Sequence, residues 1–216
     1  MAQRQPKWRR KPGERPQQIL RAALEVFGEA GVASARLDEI ADRAGVSKGT
    51  IYLYFANKEE LFRQAIRHAL APLQASQDPL TPGSPTRQLL DTISSQWVFL
   101  TSPDAITVSR LVHAEQWQFP ELAELYASEV VSRFGDQLTP IIRRGIDAGD
   151  FRDIDPSVAA RMLTALAVQS ALWRETGGPS SLTEKNSEEV LRELTGFYLQ
   201  AIAVSNYSFP QADGAL

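Results

Sequence analysis

Residues 37 to 55 read LDEIADRAGVSKGTIYLYF, and the order of residue types along this stretch decides the fold. Leu37, Ile40, Ala41 and Ala44 recur at helical spacing, which predicts a short amphipathic helix ending at Ala44. Gly45 supplies the turn that closes it, and Val46 is placed to plug the core. Ser47 can cap the next helix, so a very short one is expected from about Ser47 to Phe55. In that helix Ile51 and Phe55, four apart, face inward. Lys48, Gly49, Thr50, Tyr52 and Tyr54 are left on or near the outside.

Two short helices joined so tightly must cross steeply, which frees the second to enter a DNA major groove roughly 12 Å wide. Gly49 permits close approach to backbone or base edges. Lys48 and Thr50 can reach bases or phosphates, and tyrosine hydroxyls suit phosphate oxygens. Tyr52 and Tyr54 suit packing against neighbouring helices as well, and both readings stand.

Working outward, helical periodicity continues on both sides. Ile19, Leu20, Ala23, Val26, Phe27 and Ala30 form one stripe, which Gly31 stops. Asn57, with Glu60 three residues on, signals a capping box for a fourth helix carrying Leu61, Phe62, Ala65, Ile66 and Ala69 inward. Residues 76 to 85, SQDPLTPGSP, break the chain with three prolines and a glycine. Beyond them, helices are expected near residues 86–100, 104–116, 120–148, 156–175 and 187–205. Pro120 and Pro156 suit the first helical position, Pro140 should kink its helix, and Gly149 and Gly177-Gly178-Pro179 are stops. No strand pattern appears. The expectation is an all-α chain of about nine helices: an N-terminal three-helix helix-turn-helix domain, then a larger C-terminal helical domain. The expected boundaries are a basic disordered arm over 1–14, the helix-turn-helix domain over 15–60, the second domain over 61–207 and a disordered tail over 208–216.

Composition narrows the function. The 216 residues are 43% hydrophobic, enough for a packed core, and lack cysteine, which excludes disulfides and thiolate chemistry and suits a reducing cytoplasm. No secretory h-region or bilayer-length apolar run is present, so a cytoplasmic protein without a membrane partner is expected. The net charge of −3 hides an asymmetry: residues 1–70 carry 13 Lys+Arg against 8 Asp+Glu, the remainder 10 against 18. Binding a polyanion requires such a local basic surface. Arg4, Lys7, Arg9, Arg10, Lys11 and Arg15 concentrate it, although a solvated tail explains them equally. The two histidines, His68 and His113, are far apart, and no glycine-rich phosphate loop, nucleophile elbow or metal-ligand spacing is present. Neither catalysis nor a cofactor is expected. A small-molecule enzyme and a helical adaptor that has lost DNA binding are the alternatives from other classes.

With these residues in view, Ile19 to Leu70 resembles the DNA-binding domain of the TetR family of bacterial regulators, a likeness carried by GVSKGTIYLYFANKEELF. The resemblance implies that Ser47, Lys48, Gly49, Thr50, Tyr52 and Tyr54 lie at the DNA, with Arg36 near the backbone and Lys58 gripping a phosphate. Ala35 stands where many members carry threonine, leaving Ser34 as the available cap. Leu53 stands where the tetracycline repressor has tryptophan, so no operator sequence carries over. The family default is a repressor on a palindromic operator, with an activator of the same fold as the alternative.

Further along, ITVSRLVHAEQWQFPELAELY resembles the subgroup typified by AefR. The resemblance to the TetR family implies a small-molecule effector and a homodimer through the last two long helices, and the AefR likeness names no ligand. Arg110, His113 and Trp117 fall at i, i+3 and i+7, and Trp97, Phe99, Phe134, Met162, Gln169 and Trp173 are candidates for the same interior. A mostly apolar cavity with a few polar groups suits a small apolar or amphipathic effector, and plain core accounts for the same aromatics. For the dimer, one helix offers Val158, Ala159, Met162, Leu163, Leu166, Ala167, Ser170 and Ala171, and the last offers Val190, Leu194, Phe197, Tyr198, Ala201 and Ile202. That is more apolar surface than one intramolecular face needs.

Overall fold

The computed structural model describes residues 14–75, 83–179 and 183–204. The basic arm before Glu14, most of the proline-rich connection and the tail after Val204 lie outside the described residues. Among the described residues all regular structure is helical, and the only strand-like pairing is an isolated bridge between Phe151 and Ala203.

The helices are α1 (Arg15–Ser34), α2 (Leu37–Ala44), α3 (Lys48–Tyr52), α4 (Lys58–Ala75), α5 (Pro85–Leu100), α6 (Pro103–Glu115), α7 (Pro120–Tyr126), α8 (Arg133–Asp147), α9 (Pro156–Thr176) and α10 (Ser187–Ile202). A π-helical segment, Ala127–Ser132, joins α7 to α8. With residues 120–147, predicted as one helix, counted once, the described helices number the expected nine. The irregular segment in this stretch is the π-helical one, and α8 continues through Pro140.

Contacts sort the described residues into two compact units, residues 14–75 with 103–126, and residues 83–102 with 127–179 and 183–204. The break expected within α4 is therefore not where the packing divides. Phe62 of α4 stacks edge-on against Phe27 of α1 at 5.0 Å and against Phe119 at 5.8 Å. Those rings tie α4, α6 and α7 to the helix-turn-helix elements.

In the first unit α1 packs on α2, α4 and α6. Of its expected stripe, Ile19, Ala23, Val26 and Phe27 are buried, Leu20 is half-buried and Ala30 is exposed, while Ala22 and Leu24 are buried beside them. Gly31, at φ 74° and ψ 165°, breaks α1 three residues before its end, a conformation open to glycine and strained for other residues. In an unbroken helix the Gly28 carbonyl would accept from the Val32 N–H. Here Val32 N–H donates instead to Glu115 Oε1 at 3.0 Å, and the Gly28 carbonyl accepts from the Arg110 guanidinium. Helix α6 thus supplies both partners at the break.

The second unit is built on a core of Leu89, Ile93, Leu138, Ile141, Ile142, Phe151, Leu163 and Tyr198. Asp155 caps α9, its Oδ1 accepting from the N–H groups of Ser157 at 2.8 Å and Val158 at 3.0 Å, with Pro156 at the first helical position. Those two amide donors hold the Asp155 carboxyl below its ordinary range. Gly177, left-handed at φ 83°, ends α9. Asn186 and Glu189 form a reciprocal capping box that opens α10. The apolar residues assigned from sequence to a dimer seam split into two sets. Ala159, Leu163, Ala167 and Ala171 of α9, and Val190, Tyr198 and Ile202 of α10, are buried inside this unit, because each helix turns one apolar face to the core.

Candidate nucleic-acid interface

Gly45 sits in the left-handed region at φ 63°, and its N–H bonds back to the carbonyls of Ala41 and Asp42, closing α2 as expected. Val46, expected as a core plug, is only half-buried. Ser47 caps α3: its Oγ accepts from Thr50 N–H at 3.2 Å and lies 2.8 Å from the Thr50 hydroxyl. Ile51 and Phe55 are buried, so the inward face of α3 is the one read from sequence.

Lys48 is exposed and pairs with Asp38 of α2 at 3.1 Å. A methyl group built on Gly49 would meet nothing closer than Ser47 Oγ at 3.8 Å, so this flank of the helix is open. Tyr52 and Tyr54 are exposed, and the Tyr54 ring also leans on Phe55 at 6.4 Å. Arg36 is exposed at the N-cap of α2 with no capping side chain. The suggested Ser34 cap is a correction: Ser34 ends α1, and α2 has Asp38 and Glu39 in its first turn facing the positive end of its dipole. Lys58 does not stand clear of the fold. Its Nζ donates to the carbonyls of Ala33 at 3.0 Å and Ala35 at 3.3 Å, securing the link between α1 and α2. Asn57 caps α4 through Glu60 N–H at 2.7 Å, while the Glu60 carboxylate accepts from Ala56 N–H, one residue before the expected partner.

Arg43 fixes α2 against α1 through a two-pronged bond to Glu29 at 2.7 and 2.8 Å. This hydrogen bonding holds the Glu29 carboxyl below its ordinary range and raises Arg43.

One exposed residue was missed. Leu53, the C-cap of α3, is 80% exposed. The signal was present: it lies two residues from both Ile51 and Phe55, hence on the opposite side of the helix.

The effector candidates are divided between the two units. In the first unit Arg110 is engaged with Gly28, His113 Nδ1 lies 2.8 Å from the Ser109 carbonyl one turn back, and Trp117 is 91% exposed at the α6–α7 corner. Helical spacing aligned the three, but that face meets α1 and solvent. In the second unit Trp97 is buried and donates to Ser187 Oγ at 2.9 Å, and Phe134 is buried edge-on to Phe99 at 6.2 Å. Gln169 is half-buried. Met162 and Trp173 lie on the outer side of α9, away from those two. A polar group that sequence did not single out is the Tyr198 hydroxyl, buried with no hydrogen-bond partner among the described residues. Burial pushes this phenol above its ordinary range.

Among the described residues no helix is long and apolar enough to cross a membrane.

Residues 19–65 match the family described as bacterial regulatory proteins, tetR family, and residues 87–203 match the AefR-like transcriptional repressor C-terminal domain. The HTH-type transcriptional regulator RutR of Escherichia coli O157:H7 is 30% identical over 152 residues, spanning 68% of this chain and 69% of that protein. The HTH-type transcriptional repressor KstR2 of Rhodococcus jostii is 29% identical over 175 residues, 78% of this chain and 83% of that protein. Among solved structures, a putative transcriptional regulator from Saccharomonospora viridis in complex with choline superposes with a TM-score of 0.71 at 24% identity, covering 89% of this chain and 100% of that one.

Proposed function

The chain belongs to the TetR family of DNA-binding transcriptional regulators, and from that premise we propose that it is a homodimeric repressor released from a two-fold operator by a small apolar or amphipathic effector. It acts in the cytoplasm by binding alone, without catalysis. At the DNA, the residues are Arg36, Ser47, Lys48, Gly49, Thr50, Tyr52 and Tyr54, with Lys58 serving both the α1–α2 link and a phosphate.

The observation that carries the dimer is the outer face of α9. Val158, Met162, Leu166 and Trp173 follow one another at helical spacing on the surface, and Phe197 of α10 is 66% exposed. A row of large apolar side chains on a long helix favours a second copy of the same surface. A palindromic operator needs the recognition helices repeated by symmetry, roughly 34–36 Å apart or a multiple of that.

The effector is assigned to the interior of the second unit, where Trp97, Phe134 and Gln169 supply apolar walls and one amide. It releases the operator by shifting α4, and so must bind the free and DNA-bound conformations with different affinity. Sedimentation of the full chain, alone and with duplexes selected from genomic fragments, tests the reading. The expected species has twice the 23.9 kDa chain mass and binds one palindrome. A single-chain mass at concentrations that saturate the operator overturns it.

A further inference from the structure

We propose that Leu53 reads operator sequence by seating its side chain against a thymine 5-methyl group in the major groove.

The outermost ridge of α3 is not the one that its charged residue suggests. Ile51 and Phe55 are buried and set the inward direction. At about 100° per residue, Leu53 points directly away from both. Helical geometry continues through it, since Leu53 has φ −70° and ψ −24° and its N–H bonds to the Thr50 carbonyl at 3.3 Å. Gly49 and Thr50, four and three residues earlier, share its face. Gly49 adds no side chain there, and Thr50 keeps its hydroxyl on Ser47. Lys48 lies to the flank and is drawn to Asp38. A helix entering a groove with this face leading meets the bases first with Leu53.

The chemistry of that contact is selective. Base edges in the major groove present donors and acceptors, with one apolar group among them, the thymine methyl. A leucine laid over a cytosine amino group or a guanine carbonyl removes water from a polar atom and returns no hydrogen bond. Over a thymine methyl it buries apolar surface on both partners. Leu53 therefore favours thymine and penalises guanine or cytosine at the same position.

The test uses the full-length chain and an operator duplex selected from a random pool, in which each thymine is replaced singly by deoxyuridine. At one symmetry-related thymine per half-site, loss of the methyl is expected to weaken wild-type binding about fourfold, the transfer preference of one methyl group. Leu53→Ala is expected to bind the thymine and uracil duplexes equally at that position, while keeping its response at the others. Leu53→Met, which keeps an apolar contact, retains part of the discrimination. The proposal is overturned if no thymine methyl matters more to wild type than to Leu53→Ala. It is equally overturned if Leu53→Ala weakens operator and random duplexes by the same factor, the mark of a sugar–phosphate contact.

Discussion

The backbone N–H of Val32 donates to Glu115 Oε1 at 3.0 Å, so a carboxylate from α6 occupies the place of a helical carbonyl in α1. One turn earlier Arg110 fills the reciprocal role at the Gly28 carbonyl. The break at Gly31 is thereby satisfied on both sides by α6, and the break itself lies directly upstream of the entry to α2. Glu115→Gln keeps an acceptor and is expected to preserve operator affinity. Glu115→Ala leaves a half-buried N–H without one, and is expected to lower stability by about 1 kcal/mol and weaken operator binding. Urea unfolding and operator titration of the pair decide it, and equal behaviour of the two variants would remove the carboxylate from any role.

Close contact between the same two helices depends on Gly28. A Cβ there would stand 2.7 Å from Thr107 Cγ2, inside van der Waals contact. Gly28→Ala is expected to push α6 off α1 and cost about 1–3 kcal/mol by overpacking, despite alanine's better helix propensity. The double variant Gly28→Ala/Thr107→Ser, which removes the clashing methyl, is expected to recover most of the loss in thermal unfolding.

These contacts also mark where sequence reading ended. The elements were legible because their signals are local: Gly45 and Ser47 around the turn, Pro156 at the start of α9, and apolar stripes at helical spacing. The α6 partners of Gly28 and Val32 lie 82 and 83 residues along the chain, and no local pattern encodes such a pairing. For the same reason Arg110 passed for a pocket residue when its guanidinium serves α1. Periodicity placed Met162 and Leu163 equally on an apolar helix but could not tell which faces the core. The unclaimed Leu53 was different, since Ile51 and Phe55 already implied its direction.

Lys48 is paired with Asp38 and the two side chains are each about half exposed, so on the proposed reading Asp38 competes with the phosphates for the ammonium. Asp38→Asn frees the ammonium and removes a carboxylate facing the phosphates, so operator binding is expected to tighten by about two- to fivefold at low salt. The gain should shrink as salt rises, because both effects are Coulombic. Lys48→Ala should abolish the benefit when combined with Asp38→Asn. Unchanged affinity in Asp38→Asn across a salt series would place Lys48 away from the DNA.

Two buried phenols are expected to make stability fall at alkaline pH. Burial raises both Tyr198 and Tyr126, the latter partly offset by its hydrogen bond to Ser109. In the unfolded chain each loses its proton near the ordinary value of about pH 10. The folded state holds its protons more tightly, so the stability they contribute is whole below about pH 10 and falls as pH rises above it. The loss approaches about 1.4 kcal/mol per pH unit for each group. Tyr198→Phe is expected to match or exceed wild type at neutral pH, since it deletes a hydroxyl with no hydrogen-bond partner among the described residues, and to unfold at higher pH. Urea midpoints from about pH 8 to about pH 11 give the comparison; parallel curves for the two proteins would contradict it.

The outer face of α9 offers the sharpest separation between folding and assembly. Met162 is 62% exposed, and Leu166, one turn on, is exposed beside it, whereas Leu163 between them is buried. Charges at Met162 and Leu166 therefore leave the core of a single chain untouched, while Leu163→Glu would unfold it. Met162→Glu/Leu166→Glu is expected to keep its helical circular dichroism and to sediment at 23.9 kDa. Losing the partner also loses the second half-site, and with it the effective concentration of the second recognition helix. Operator affinity is expected to fall about 100-fold or more, while contacts to one half-site remain. A variant that stays dimeric and binds as wild type would show that the chain's symmetry is built on another surface.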